Sequence, residues 1–338
     1  MTDTGVVGLG TMGGSMARHL LAAGYRVTGC DIRRDCVDAL VSAGGTAAPS
    51  PAAVATAADV IVLSLPSVAA FEEVTAGPDG LAGAVRPGQV VIETSTLPLD
   101  VKERAHQLLA GRGAALLDCP ISGTGAQMRT KDVAIYASGD PAAVERARPV
   151  LGAFSRAQFD VGAFGNGSRL KFVANLLVAI HNAASAEALL LAERSGLDLE
   201  ATLHALTSGA GTSRMLEIRG PLMINGDYGE PTMRVRTFQK DTDIIGRFAA
   251  SLGCPTPIFT VAAQLNLAAL AQGHADEDTA SVFAVLQRLA GSPAANPDTG
   301  SPPANPGAGS PAASPGAGSP PANPDTGSPA AGPQADSR

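Results

Sequence analysis

TGVVGLGTMGGSMARHLLAAGYRVTGCD, residues 4–31, decides the reading of the whole chain. Residues 4–8 are a short apolar run. The turn Gly8-Leu9-Gly10-Thr11-Met12-Gly13 follows, then a helical pattern through Met16, Ala17, Leu20 and Leu21 that stops at Gly24. YRVTGCD reads as a second strand closing on Asp31. Strand, glycine turn, helix, strand and acid in this order mark a dinucleotide site. Gly8 permits the tight turn, Gly10 lets the backbone approach a pyrophosphate, and Gly13 lets helix and strand pack closely. Leu9, Thr11 and Met12 complete the loop, and free N–H groups at the helix start hold phosphate. Asp31 can accept hydrogen bonds from the adenosine ribose, which favours NAD. Arg33 and Arg34 just beyond keep NADP possible. The competing reading is a glycine-rich turn in another doubly wound fold.

The following segments extend the pattern. DVIVLSLP (59–66), QVVIETST (89–96) and AALLD (114–118) are apolar strands, and a helix is expected near 98–111. Buried strands alternating with helices predict an α/β fold, an N-terminal Rossmann domain with a doubly wound parallel sheet. Ligands bind at the carboxyl ends of such strands, which places Leu65, Pro66, Ser95 and Thr96 near the cofactor. As sequence alone, they read equally well as ordinary loop residues. Asp118-Cys119-Pro120-Ile121-Ser122-Gly123-Thr124-Gly125-Ala126 follows a strand. Its small residues can leave N–H groups free as an anion nest for a substrate carboxylate. An ordinary turn is the alternative.

GNGSRLKFVAN (165–175) carries the candidate chemistry. A pair of glycines opens a long apolar helix, and a spacing of four puts Lys171 and Asn175 on one face. Apolar neighbours Leu170, Phe172 and Val173 favour desolvation, which lowers an amine pKa and lets it exchange protons near neutrality. The same residues also fit a lysine that snorkels to water.

Composition narrows the rest. With 338 residues, 45% of them hydrophobic, the chain has material for two domains and a sizeable core. Its net charge of −7, with no basic block, argues against nucleic acid as a main partner. MTDTGVVGLG lacks the features of a signal peptide. The apolar stretch 172–192 is punctuated by polar residues and reads as a buried helix, not a membrane span. Cys30, Cys36, Cys119 and Cys254 fit no disulfide or metal framework, so a cytoplasmic, reducing location is expected, with no metal. From Gly291 a nine-residue repeat begins (GSPAANPDT, GSPPANPGA and so on), without Leu, Ile, Val, Phe or Tyr. It is expected to be a disordered, polyproline-like spacer. The expected division is a nucleotide-binding domain over 1–163, an all-α substrate and oligomerisation domain over 164–290, and the tail over 291–338. Helices are expected around 168–194 and near 198–208, 212–224, 235–252, 257–272 and 278–290.

Four motifs in order, GLGTMG (8–13), DCPISGTGA (118–126), GNGSRLKFVAN (165–175) and FQKDTDI (238–244), resemble the β-hydroxyacid dehydrogenase family over roughly residues 4–290. That family includes 3-hydroxyisobutyrate dehydrogenase, tartronate semialdehyde reductase and L-threonate dehydrogenase. The resemblance implies Lys171 as the catalytic acid/base and Ser122, Gly123 and Thr124 as the holders of the substrate carboxylate. It implies Asn175 on the substrate, and Thr96 and Lys240 near the nicotinamide. Asp241 would support Lys240. It further implies a short hydroxy acid as substrate, NAD or NADP as cofactor, and a homodimer or homotetramer. Thr124 departs from the family, which has a second glycine there. HNAASAEALLLAERSGLD (181–198) most resembles the threonate and tartronate semialdehyde branch. Within it, Asn182 fits either a substrate hydroxyl or a packed interhelical contact, and His181 is expected to be structural. The rival readings are an imine reductase on the same fold, which generally lacks this lysine, 6-phosphogluconate dehydrogenase, with its longer helical domain, and a non-enzymatic binding module.

Overall fold

The computed structural model describes residues 2–291, so the spacer expected over 291–338 lies outside the described residues apart from Gly291. The first half alternates strand and helix. In chain order it runs β1 (Asp3–Val7), α1 (Thr11–Ala22), β2 (Arg26–Cys30), α2 (Arg34–Ser42), β3 (Thr46–Ala47) and α3 (Pro51–Ala57). It continues with β4 (Val60–Leu63), α4 (Val68–Ala76), β5 (Val90–Glu93), α5 (Leu99–Ala110) and β6 (Ala115–Asp118). These strands form one parallel sheet in the order β3-β2-β1-β4-β5-β6. Successive residues point to opposite faces, and both faces are apolar. Val6, Val62, Ile92 and Leu117 pack on one side, while Val7, Ile61, Val91 and Leu116 pack on the other. The strand order reverses between β1 and β4, and a crevice opens outside the carboxyl ends at such a point.

A second, smaller sheet follows that the sequence reading did not anticipate. It comprises β7 (Ile121–Ser122), α6 (Gly125–Arg129), β8 (Ala134–Ala137), α7 (Pro141–Phe154) and β9 (Ala157–Asp160). Its order is β7-β8-β9, with the first pair antiparallel and the second parallel. β7 has only two residues, and β9 (AQFD) is half polar and partly exposed, so neither presents an apolar run like those of the first sheet.

The second half is helical, as expected: α8 (Asn166–Arg194), α9 (Leu199–Thr207), α10 (Arg214–Asn225), α11 (Val235–Ser251), α12 (Pro257–Ala271) and α13 (Val282–Leu289). A 3₁₀ turn over Thr279–Ser281 replaces the start of the helix expected from 278. The 29 residues of α8 extend about 43 Å, and α9 to α13 all pack on it. By length and composition α8 could cross a membrane. Instead it is the central helix of the cluster, burying Phe172, Ala179, Ala186 and Leu189 along one side.

The start of α8 is joined to the sheets. Gly165 precedes it at φ +89°, a conformation that favours glycine, and offers no capping side chain. The orphan N–H groups of the first turn go to the first half instead. Gly167 donates to Ser138 Oγ (3.0 Å) and Ser168 to Asp118 Oδ2 (2.7 Å). A Cβ at Gly167 would lie 2.5 Å from the carbonyl oxygens of Asp118 and Tyr136. The two glycines of GNG therefore have separate reasons, a left-handed turn and a close approach.

Candidate active site

A cavity of about 850 Å³ lies at the carboxyl ends of the parallel strands and is walled on its other side by α8 and α11. Thr11, Met12, Leu65, Pro66 and Thr96 line it from the first sheet. Gly123 and Thr124 line it from the second, and Lys171 and Lys240 from the helices. Ser122, Asn175, Asp31 and the glycines of the first turn sit outside that lining.

The glycine turn fits a dinucleotide. Gly8 has φ +87°, and a Cβ there would overlap the Ser64 carbonyl. A Cβ at Gly13 would overlap the Gly8 carbonyl, so helix and strand meet without room for a methyl. At Gly10 no atom lies within 4 Å of the Cβ position, leaving the backbone open to approach. Gly10 is the N-cap of α1 without a side-chain cap, and the first turn holds no acid to compete with an anion. Asp31 is fixed against this turn. Its Oδ2 accepts from Leu9 N–H (2.6 Å) and its Oδ1 from Arg33 N–H (2.8 Å).

The loops after β4 and β5 are cross-linked, because Leu65 N–H donates to Ser95 Oγ (2.8 Å). Lys240 reaches across from α11 to donate to the Thr96 carbonyl, and its ammonium lies 3.0 Å from Asp241 Oδ1. Asp241 Oδ2 accepts from Asn175 Nδ2 (3.0 Å). Asp241 thus serves two neighbours and links α8 to α11. Only the Lys240 contact was anticipated.

Lys171 is 8% exposed, borders the cavity, and has no hydrogen-bond partner among the described residues. Burial lowers its pKa to about 8, with Asp241 pulling it up and Lys240 pushing it down. The buried amine, not the snorkelling lysine, is the arrangement found. At the DCPISGTGA turn, the Ser122 hydroxyl has no partner among the described residues. Thr124 is engaged: it caps α6, its hydroxyl accepting from Gln127 N–H (3.3 Å) while its own N–H donates to Gln127 Oε1 (3.0 Å). Of the expected anion nest, that N–H is already used within the capping box.

The segment 230–237 forms the outer wall of the cavity and was missed from sequence. Asp278, fully buried, holds it. Its Oδ2 accepts from Thr232 N–H (2.7 Å), Thr232 Oγ1 (2.8 Å) and Met233 N–H (3.2 Å). Its Oδ1 accepts from Ala280 N–H (3.0 Å) and from Arg219 Nε (3.3 Å). Burial alone would raise the pKa of Asp278. Arg219 and these hydrogen bonds outweigh it and hold the carboxyl below its ordinary value. Asn182 belongs to the same scaffold, donating to the Thr279 carbonyl (2.8 Å), so the packed interhelical reading is the one the structure supports.

Two family models cover nearly all of this unit. The NAD binding domain of 6-phosphogluconate dehydrogenase matches residues 3–163, and NAD-binding of NADP-dependent 3-hydroxyisobutyrate dehydrogenase matches 165–286. The L-threonate dehydrogenase of Cupriavidus necator is 35% identical over 84% of this chain and 95% of its own length. The NAD-dependent L-serine dehydrogenase of Pseudomonas aeruginosa is 32% identical over 86% and 98%. The crystal structure of 3-hydroxyisobutyrate dehydrogenase from Salmonella typhimurium superposes with a TM-score of 0.76 at 31% identity, over 84% of this chain and all of that one. Fold, cavity and relatives define an NAD(P)-dependent dehydrogenase acting on the CH–OH group of a hydroxy acid. The chain belongs to the β-hydroxyacid dehydrogenase family.

Proposed function

We propose that the enzyme reversibly oxidises the carbinol of a short β-hydroxy acid, of the 3-hydroxyisobutyrate, glycerate/tartronate semialdehyde or threonate type, with Lys171 as general acid/base. When bound, the nicotinamide ring supplies the acceptor or donor of hydride. The observation that carries the reading is a buried, unpartnered amine on the cavity wall with a pKa near working pH. In oxidation, neutral Lys171 takes the hydroxyl proton as the carbinol hydrogen departs as hydride, leaving a carbonyl. In reduction, protonated Lys171 returns that proton to the carbonyl oxygen. Ser122 and Gly123 hold the substrate carboxylate, and Thr124 shapes that end of the cavity through its cap. Asn175, tied to Asp241, orients the helix face beside the lysine. Leu65, Pro66, Thr96 and Lys240 border the nicotinamide end.

The test is pH dependence in both directions. Oxidative kcat/KM should rise about tenfold per pH unit and level off above about 8, where Lys171 becomes neutral. Reductive kcat/KM should fall above the same midpoint. Oxidative rates flat from pH 6 to 9 would count against the assignment.

The cofactor is NAD, by the carboxylate of Asp31 at the end of β2. Arg34 ion-pairs with Asp38 (3.4 Å) and Arg33 donates to Cys36 Sγ, so both guanidinium groups have partners on α2. Residues 1–163 bind the nucleotide and lend Ser122 and Gly123 to the substrate, while 164–290 supply the substrate and self-association surfaces and lend Lys240 to the nicotinamide end. Val173, Leu177 and Leu191 on α8 and Ile258 and Val261 on α12 expose apolar surface, which supports a homodimer or homotetramer that light scattering can check. Four unpaired cysteines accord with a reducing, cytoplasmic setting.

A further inference from the structure

We propose that Lys102 is a positioning residue that locks the Ser95–Thr96 turn to the first turn of α8, and so sets where Lys171 stands; this rests on the role given to Lys171 above. Glu93 and Asp118 are register partners at the carboxyl ends of β5 and β6, two acids side by side with no exposed surface. Lys102 enters between them from α5, itself fully buried. Its ammonium donates to Asp118 Oδ1 (2.8 Å) and to the Ser95 carbonyl (2.7 Å), and lies 3.9 Å from Glu93 Oε1.

Each partner leads to a different wall of the cavity. Glu93 Oε1 accepts from Ser95 N–H, so both the N–H and the carbonyl of Ser95 end in this cluster. Ser95 and Thr96 line the cavity. Asp118 accepts from Ser168 N–H (2.7 Å) and Ser168 Oγ (2.8 Å), one helical turn before Lys171. Among the described residues, Lys102 is the cation that contacts both carboxylates. It does not border the cavity, and the charges acting on Lys171 are Asp241 and Lys240. Lys102 therefore acts through geometry and not through the proton of Lys171. A displacement of about 1 Å between reacting groups can cost on the order of a hundredfold in rate, so a remote tether of this kind has kinetic consequences.

The experiment compares Lys102→Met with Lys102→Met/Asp118→Asn in the full-length enzyme. The single change strands the Asp118 carboxylate in the interior and lowers the melting temperature. The double change removes the charges of Lys102 and Asp118 and leaves Glu93 to go neutral, since burial raises its pKa to about 7 even beside Lys102, while the amide oxygen put in place of the Asp118 carboxylate can still accept from Ser168. Once thermal melting confirms that the double variant is folded, it should bind NADH as the wild type does, by titration of the reduced cofactor's own fluorescence. Its kcat should fall roughly tenfold to a hundredfold, with KM for the hydroxy acid and the pH midpoint near 8 held. Wild-type kcat in the folded double variant overturns the positioning role. A pH midpoint that moves together with kcat also overturns it, because Lys102 would then act on the proton. Normal turnover in Lys171→Ala would instead overturn the reading on which it rests, so the two failures are distinct.

Discussion

The glycine turn at residues 8–13 and the wall at residues 230–241 meet at one cavity, but they are built by opposite means. The turn is held by main chain. Gly8 must take a positive φ, Gly13 must pass a carbonyl, and Gly10 must stay open. The wall is held by side chains from distant segments. Asp278 and Arg219 pin Thr232 and Met233, Lys240 reaches the Thr96 carbonyl, and Asn175 holds Asp241. Backbone recognition of a phosphate tolerates no side chain, so it has little room to vary. A side-chain scaffold can be redrawn one residue at a time. The lesson is that in this chain the turn has little room to vary, whereas the wall can be changed one residue at a time.

The largest test of this division is Lys171→Ala. Loss of the acid/base should cost 10²–10⁴-fold in kcat, roughly 3–5 kcal/mol of barrier, with NAD affinity nearly unchanged. A parallel loss of NAD affinity in a folded variant would show that the two sides are not separable. Arg219→Met comes next. It leaves Asp278 buried without its counter-ion, at a cost of about 3–5 kcal/mol, read as a lower melting temperature. The loosened wall should raise KM for the hydroxy acid and leave KM for NAD alone. The folded pKa of Asp278 is depressed, so its stabilising contribution is present above the unfolded carboxylate value and lost as pH falls through the folded one. The variant should therefore lose part of the wild type's dependence of stability on pH in the acid range. Asp31→Asn has the smallest expected effect. The wild type should prefer NAD to NADP in kcat/KM, and the substitution should shrink that preference by relieving repulsion of a 2′-phosphate. A wild type that prefers NADP would give Arg33 and Arg34 the deciding role.

The same contrast sets what could be read from sequence. Five of the six strands of the first sheet were legible because their signals are local: GLGTMG, the acid closing β2, and apolar runs at 59–66, 89–96 and 114–118; the two-residue edge strand β3 was not. Lys171 was legible as an amine among apolar neighbours, though its burial was settled only by α11 packing over it. Thr124 and Gln127 carry a capping-box spacing that could have been recognised. Lys102 could not. In LDVKERAHQLL it sits beside Glu103 and Arg104 and reads as a solvated residue, and only the tertiary fold turns it inward between two acids. Arg219 and Asp278 are 59 positions apart, and no periodicity links them.

The first turn of α8 has a bearing on ancestry. The lysine lies downstream of residue 164, but the groups that finish its turn, Ser138 and Asp118, lie 29 and 50 positions before Gly167 and Ser168. A crossover between the coding regions of two relatives near residue 164 would transmit the amine and leave its cap behind. Such a hybrid keeps both glycine signatures and still has a frayed helix start unless the incoming upstream segment supplies an acid and a hydroxyl in register. The amine and its cap, though far apart in sequence, would have to pass on together as one linked trait.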